Sequence, residues 1–295
     1  MLPYQDATVE NFIRLLPGGT RDILEIGSDI GGEVVCALAE RTGARVVGIN
    51  PSQAFPNHLG ALPANARLQR ADGRALPFAE RSFDAVLSVA TMEHVIGLDA
   101  FLAEVERVLR PGGVFLTDFS PLWSSALGHH VFAVAGSKEA RFWKPGKNPI
   151  PNYAHLLWTP DEMREFLRSG PTAEELIEPI VQWVYFEEDI NRCHFEEYLE
   201  ALESSALCVQ SMYFAYDAFD QQAMAQLAAK YGAGRQFTVN GIRAELRKLP
   251  EKPLQREAFR GYLALRKRLF PAAAKLLSFT RRAAYALNTI RRGNY

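Results

Sequence analysis

The chain has 295 residues, 48% of them hydrophobic and 23% charged, enough to bury one large core, or one core with an appendage. That composition excludes a disordered chain, a collagen-like repeat and a disulfide-stapled miniprotein. Net charge is −1, but Glu251 to Tyr295 carries eleven Lys and Arg against two Glu, leaving 22 basic and 32 acidic residues upstream. A basic tail on an acidic body suggests either docking on that body or attraction to an anionic surface.

Cys36, Cys193 and Cys208 are an odd count without CxxC spacing, so neither a zinc site nor a disulfide framework is expected. The opening MLPYQDATVE lacks a basic stretch followed by an apolar one, and no run approaches about 18 apolar residues. Neither a secretory signal nor a spanning helix is therefore expected, and the chain reads as cytoplasmic.

In chain order, residues 1–120 alternate short β-rich runs with helical stretches, the pattern of a parallel sheet covered on both faces. Strands are expected at Asp22–Ile26, Arg45–Ile49, Ala66–Arg70, Phe83–Val89 and Val114–Asp118, and helices at Glu33–Thr42 and Asp99–Leu109. Arg110-Pro111-Gly112-Gly113 has the Pro and Gly of a type II turn, whose third position needs a positive φ. A lid-like insertion of about residues 119–185 follows, rich in Pro and in aromatic residues such as Trp123, Phe132, Phe142, Trp143, Tyr153 and Trp158. Those aromatic side chains could cover an acceptor or form a small core beneath a long loop. Thr159-Pro160-Asp161-Glu162 and Thr172-Ala173-Glu174-Glu175 each match a capping box and predict helix starts. A helix over Phe195–Ser204 and strands over Leu207–Tyr213 and Thr238–Leu246 complete residues 1–250. From Pro271, residues of the 251–295 tail pattern as a basic amphipathic helix with Leu276, Phe279, Leu287 and Ile290 on one side. Such a helix either packs its apolar side on protein, in this chain or a second copy, or lies peripherally on anionic lipid; packing is the expectation.

Chemistry gathers around Glu25-Ile26-Gly27-Ser28-Asp29-Ile30-Gly31-Gly32, where an acidic strand end meets a glycine turn leading into a helix, at the carboxyl edge where open α/β sheets bind ligands. A dinucleotide site would want GxGxxG with a pyrophosphate on the helix start. Asp29 stands at its middle glycine, and its charge would repel phosphate, which disfavours an oxidoreductase. The spacing instead resembles the first motif of class I S-adenosylmethionine-dependent methyltransferases. Val46-Val47-Gly48-Ile49-Asn50-Pro51, Ala71-Asp72-Gly73, Ser82-Phe83-Asp84-Ala85-Val86 with Met92-Glu93-His94-Val95, and Leu109-Arg110-Pro111-Gly112-Gly113 resemble the later motifs in the same order. They are most similar to those of the small-molecule branch that includes quinone-biosynthesis methyltransferases.

The resemblance implies a Rossmann-like, mostly parallel seven-stranded sheet and an enzyme that uses S-adenosylmethionine as cofactor. It implies that Glu25, Gly27, Ser28, Gly31, Asn50, Pro51, Asp72, Gly73 and Ala90 form the cofactor site, with Asp72 on the adenine amino group and position 50 on the ribose hydroxyls. Two residues depart from the pattern. Asp29 replaces the central glycine, and Asn50 replaces the ribose-binding acid, so that restoring an acid at position 50 is expected to tighten binding.

Methyl transfer needs alignment of the acceptor, exclusion of water and sometimes removal of a proton, for which histidine is the natural base. His129 and His130 in the insertion and His94 after the fourth strand are the candidate catalytic bases; His58 and His194 read as surface or helix residues. Glu187-Glu188-Asp189 reads as a solvated acidic face, and no carboxylate set has metal-binding spacing, so no metal is expected. Gly128-His129-His130, Pro151 to Leu157 and Asn191-Arg192 look similar to methyltransferases of surface-polysaccharide and natural-product pathways, which implies a small-molecule or glycan-type acceptor rather than nucleic acid. The alternative is a methyltransferase fold that has lost catalysis and serves as a binding module.

Overall fold

The computed structural model describes residues 1–249 except 53, 57–60, 137–139 and 145. After α1 (Pro3–Leu15) come β1 (Asp22–Ile26), α2 (Glu33–Thr42), β2 (Arg45–Asn50), β3 (Ala66–Arg70), β4 (Phe83–Val89), a 3-10 turn at Met92–His94, α3 (Leu98–Val108) and β5 (Leu109–Phe119). The expected α/β alternation is present. The turn beginning at Arg110 is taken up within β5, with Gly112 at φ +84° as the type II turn requires.

Among the described residues seven strands form one sheet, in the order β3-β2-β1-β4-β5-β7-β6, with β6 (Cys208–Tyr216) and β7 (Val239–Arg247) added after the insertion. β1 to β5 are parallel, while β7 runs antiparallel to both β5 and β6. Strand order reverses between β1 and β4, which opens a crevice at their carboxyl ends, where this architecture accommodates ligands. One face of the sheet packs on Phe101, Leu102 and Val105 of α3 and Tyr198 of α7 (Phe195–Ser204); the other packs on Val34, Val35 and Leu38 of α2 and on Val9 and Phe12 of α1. With both faces covered, β1 and β4 are buried along nearly their whole length and mostly apolar, as central parallel strands are.

Between β5 and α7 the chain forms α4 (Ala154–Leu157), α5 (Pro160–Ser169) and α6 (Glu174–Tyr185). Trp123, Tyr153, Ile177 and Val181 make a separate core there, joined by Leu227 of α8 (Gln221–Tyr231). Trp123 and Tyr153 thus serve as core residues, whereas Phe132 and Trp143 are exposed. The Thr159 capping box forms, with Thr159 and Glu162 exchanging hydrogen bonds. The Thr172 box does not: α6 starts after Ala173, which has no capping side chain. No helix among the described residues is long and apolar enough to cross a membrane. The basic tail, with its packing or membrane role, and His58 lie outside the described residues.

Candidate active site

At the carboxyl ends of β1, β2 and β4 lies a cleft of about 430 Å³, within the range of small-molecule sites. Gly27, Asn50, Pro51, Asp72, Gly73 and Ala90 line it, together with Thr91, His94 and Glu188. A Cβ on Gly27 would lie 1.9 Å from Thr91 Oγ1, and Gly27 has φ +84°, so only glycine lets the chain turn here against the fourth-strand loop. Ala90 opposite is held at φ 47°, a left-handed conformation that non-glycine residues keep mainly where the surroundings impose it. A second, shallower concavity by Leu157, Trp158 and Lys230 holds no comparable set of polar groups; Lys230 there donates to the carbonyls of Leu156 and Leu157.

Glu25, Ser28 and Gly31 do not line the cleft. Glu25 lies behind it, 2% exposed, with Oε2 lacking a hydrogen-bond partner. Burial pushes its carboxyl up to about 8, opposed by the neighbouring Ser28 and reinforced by the charge of Asp29. Asp29 turns away from the cleft: its carboxylate accepts from the backbone N–H groups of Glu33 and Val34 at 3.1 and 3.3 Å. The acid that departs from the glycine pattern therefore ties the loop to the first turn of α2, where a negative charge is favourable.

The strand-end polar groups are already engaged. Asn50 Nδ2 donates to the Ser28 carbonyl at 2.8 Å, and its Oδ1 accepts from Ser52 N–H at 2.8 Å. Asp72 accepts from the Arg74 guanidinium, with Nη2 to Oδ2 at 2.6 Å, and from the Arg74 backbone N–H at 2.8 Å. Those hydrogen bonds hold its carboxyl below the usual range. With Arg74 committed to Asp72, the cleft presents acceptors rather than free cationic groups, which fits a ligand bearing amino, hydroxyl and sulfonium groups better than a phosphate.

The candidate histidines separate into two sets. His94 is exposed on the cleft wall, and its Nδ1 lies 2.5 Å from the Asp189 carbonyl. His130 is buried, at φ 50°, with Nδ1 at 2.7 Å from the Gly128 carbonyl and a ring centroid 5.4 Å from that of His94. A carbonyl only accepts, so in each neutral ring Nδ1 carries the proton and Nε2 the lone pair. Burial, with His94 nearby, pushes His130 down to about 3. Glu93 completes this group. It is 1% exposed, its carboxyl is pushed up to about 8 by burial, and Oε2 has no hydrogen-bond partner.

His129, by contrast, is fully buried in the insertion; its Nδ1 accepts from Val131 N–H, and its ring packs near Phe142 and His155. His155 donates from Nε2 to the Trp123 carbonyl, and burial pushes it down to about 4. His194, read from sequence as a surface or helix residue, is buried before α7 against Tyr231 and Phe237. The residues that sequence reasoning missed are Glu93, taken only as part of a motif, and Glu188, which comes from the acidic run read as a solvated face. Neither carries a local signal, because each reaches its place through tertiary packing.

Residues 24–117 match the family described as a methyltransferase domain. An uncharacterized methyltransferase of Mycobacteroides abscessus is 33% identical over 159 residues, covering 50% of this chain and 60% of that protein. A ubiquinone biosynthesis O-methyltransferase of Maricaulis maris is 29% identical over 153 residues, covering 50% and 57%. The chain thus spans about three-fifths of the length of these relatives. Among solved structures, a geranyl diphosphate methyltransferase is similar at 18% identity with a TM-score of 0.47, over 83% of this chain and 78% of that one. Over residues 24–117 the chain is thus similar to a methyltransferase domain, in line with the class I S-adenosylmethionine-dependent fold and cofactor that its motif order leads one to expect.

Proposed function

We propose that this protein transfers a methyl group from S-adenosylmethionine to a hydroxyl of a small-molecule or glycan acceptor. The observation that carries the reading is the coincidence of the β1, β2 and β4 strand-end cleft with six of the residues that the family pattern nominates. Gly27 and Gly73 give the backbone access, Asp72 meets the adenine amino group beside its bond to Arg74, and Asn50 and Pro51 border the ribose. When bound, the cofactor supplies a methyl carbon already activated toward in-line displacement. The chain's part is then alignment, exclusion of water and proton removal.

Proton removal falls to the Glu93–His94–His130 group. His94 stands on the cleft wall with Nδ1 turned to the Asp189 carbonyl, which makes Nε2 the basic nitrogen of the neutral ring, and His130 backs it in the insertion. The insertion between β5 and α7 acts as the lid over the acceptor. A hydroxyl acceptor is favoured because it must lose a proton as it attacks, which gives these lone pairs a task, and it agrees with the O-methyl transfer named for the Maricaulis maris relative.

The test is label transfer from methyl-labelled S-adenosylmethionine to a panel of phenolic and glycan hydroxyl compounds, with label expected on an acceptor oxygen. A second reading, a binding module without catalysis, draws on the internal pairing of Asn50 and Asp72. Tight binding of S-adenosylhomocysteine with no transfer to any member of the panel would favour that reading.

A further inference from the structure

Glu93, His94 and His130 each offer one donor atom, and the three atoms lie within 4.8 Å of one another. Two come from the 3-10 turn after β4 and the third from the insertion, so the group forms only once the insertion folds against the sheet. We propose that these three side chains hold a divalent first-row transition cation, and that the acceptor hydroxyl is activated by binding it. The proposal rests on the methyltransferase reading for its role in catalysis, but not for the metal site itself.

Three features support it. First, both imidazoles have their Nδ1–H committed to a backbone carbonyl, that of Asp189 for His94 and that of Gly128 for His130. Metal-ligating histidines show this arrangement regularly, because the carbonyl sets the tautomer and aims Nε2 at the ion. Second, His130 Nε2 and Glu93 Oε2 are buried without hydrogen-bond partners, a costly state for polar atoms unless something else satisfies them. The rest of Glu93 is held in place: backbone N–H groups of Glu93 and Ser120 donate to its carboxyl. Third, His130 adopts φ 50°, a conformation uncommon outside glycine and one that collects at ligand sites.

Two imidazoles and one carboxylate suit zinc, cobalt or manganese better than magnesium or calcium, which prefer all-oxygen shells. Three protein ligands also leave a coordination position open, as catalytic zinc sites do. Zinc ligands about 2.0 to 2.1 Å from a tetrahedral centre lie roughly 3.3 Å apart, so the side chains draw inward on binding. His94 is shared between this group and the cleft wall, which places the open position on the acceptor side. There a hydroxyl bound through oxygen ionises more readily, its proton passing to solvent water, and the oxygen lone pair forms the new bond to carbon as the carbon–sulfur pair departs on sulfur. With the cation bound, the imidazoles act as ligands instead of as the base.

The experiment is calorimetric titration of chelator-treated full-length protein with Zn²⁺, run beside a titration with S-adenosylhomocysteine. One equivalent of zinc is expected. His130→Asn tolerates the left-handed backbone and removes the ligand, and Glu93→Gln is isosteric; each is expected to weaken zinc binding at least about ten-fold while S-adenosylhomocysteine affinity stays within about two-fold. If either variant fails to fold, anomalous diffraction from zinc-soaked wild-type crystals locates the ion. A peak between Glu93, His94 and His130 supports the site, and a peak only elsewhere overturns it. Absence of stoichiometric zinc uptake by protein that binds S-adenosylhomocysteine also overturns it, and would join Glu93 to His130 through a shared proton instead. Zinc uptake without S-adenosylhomocysteine binding would sustain the metal site and sink the methyltransferase reading.

Discussion

Asn50 Nδ2 donates to the Ser28 carbonyl at 2.8 Å, so the side chain proposed to border the ribose also closes the loop after β1. Aspartate lacks that donor and would set a carboxylate against the carbonyl oxygen. Asn50→Asp is therefore expected to destabilise the protein by about 1 kcal/mol or more, with no gain in cofactor affinity, reversing the expectation drawn from the family pattern. Thermal melting and S-adenosylhomocysteine titration of the variant check both parts; unchanged melting with tighter binding would show that the loop contact is dispensable.

Asp72→Ala is expected to weaken S-adenosylhomocysteine binding by about 1 to 3 kcal/mol through lost hydrogen bonds. The fold should be retained, because the Asp72–Arg74 pair is largely exposed and such pairs contribute little to stability. Affinity equal to wild type in a calorimetric titration would place the adenine elsewhere.

The buried acids and histidines set the pH dependence of stability. Glu25 and Glu93 rise from 4.5 to about 8 in the fold, so the native state holds protons that the unfolded chain releases. Their stabilising contribution is complete below about pH 4.5 and is lost as pH rises toward 8. His130 and His155 fall from 6.5 to about 3 and 4, so their contribution is complete above about pH 6.5 and is lost in acid. Melting temperature is thus expected to peak between about pH 4.5 and 6.5 and to decline from pH 6.5 to 8, with Glu25→Gln flattening the decline. An alkaline limb equally steep in Glu25→Gln would remove Glu25 from this account.

Among the histidines, His94→Ala is expected to lower kcat by about 10² to 10⁴. His129→Ala should reduce stability while leaving the turnover of folded enzyme near wild type, since its ring packs inside the insertion. Rate measurements normalised to S-adenosylhomocysteine binding sites separate the two; a rate loss confined to His129→Ala would reverse the assignment.

The parallel half of the sheet was legible because buried strands, glycine turns and the α3 stripe are local patterns, and β1, α2, β3 and β4 fall on their expected residues. Helix α1 was not, since only Thr8, Val9 and Phe12 of it are buried, and α8 hides just Ala223 and Leu227; neither presents a broad apolar stripe. In the site, the glycine turn after β1 is legible from the residues themselves, and Asp72 from the resemblance to the methyltransferase motifs. The helix-capping role of Asp29 and the meeting of Glu93 and His94 with His130 do not, because both depend on how the chain folds back, and a search for ligand spacing along the sequence cannot pair residues on separate elements.

The most direct measurement is calorimetric titration of full-length wild type and Gly27→Ala with S-adenosylhomocysteine. The cleft account predicts one binding site in wild type and its loss, or weakening by at least about ten-fold, in folded Gly27→Ala, because the added Cβ collides with Thr91 at a positive φ. Absence of binding to folded wild type, or equal affinity in the two proteins, would contradict it.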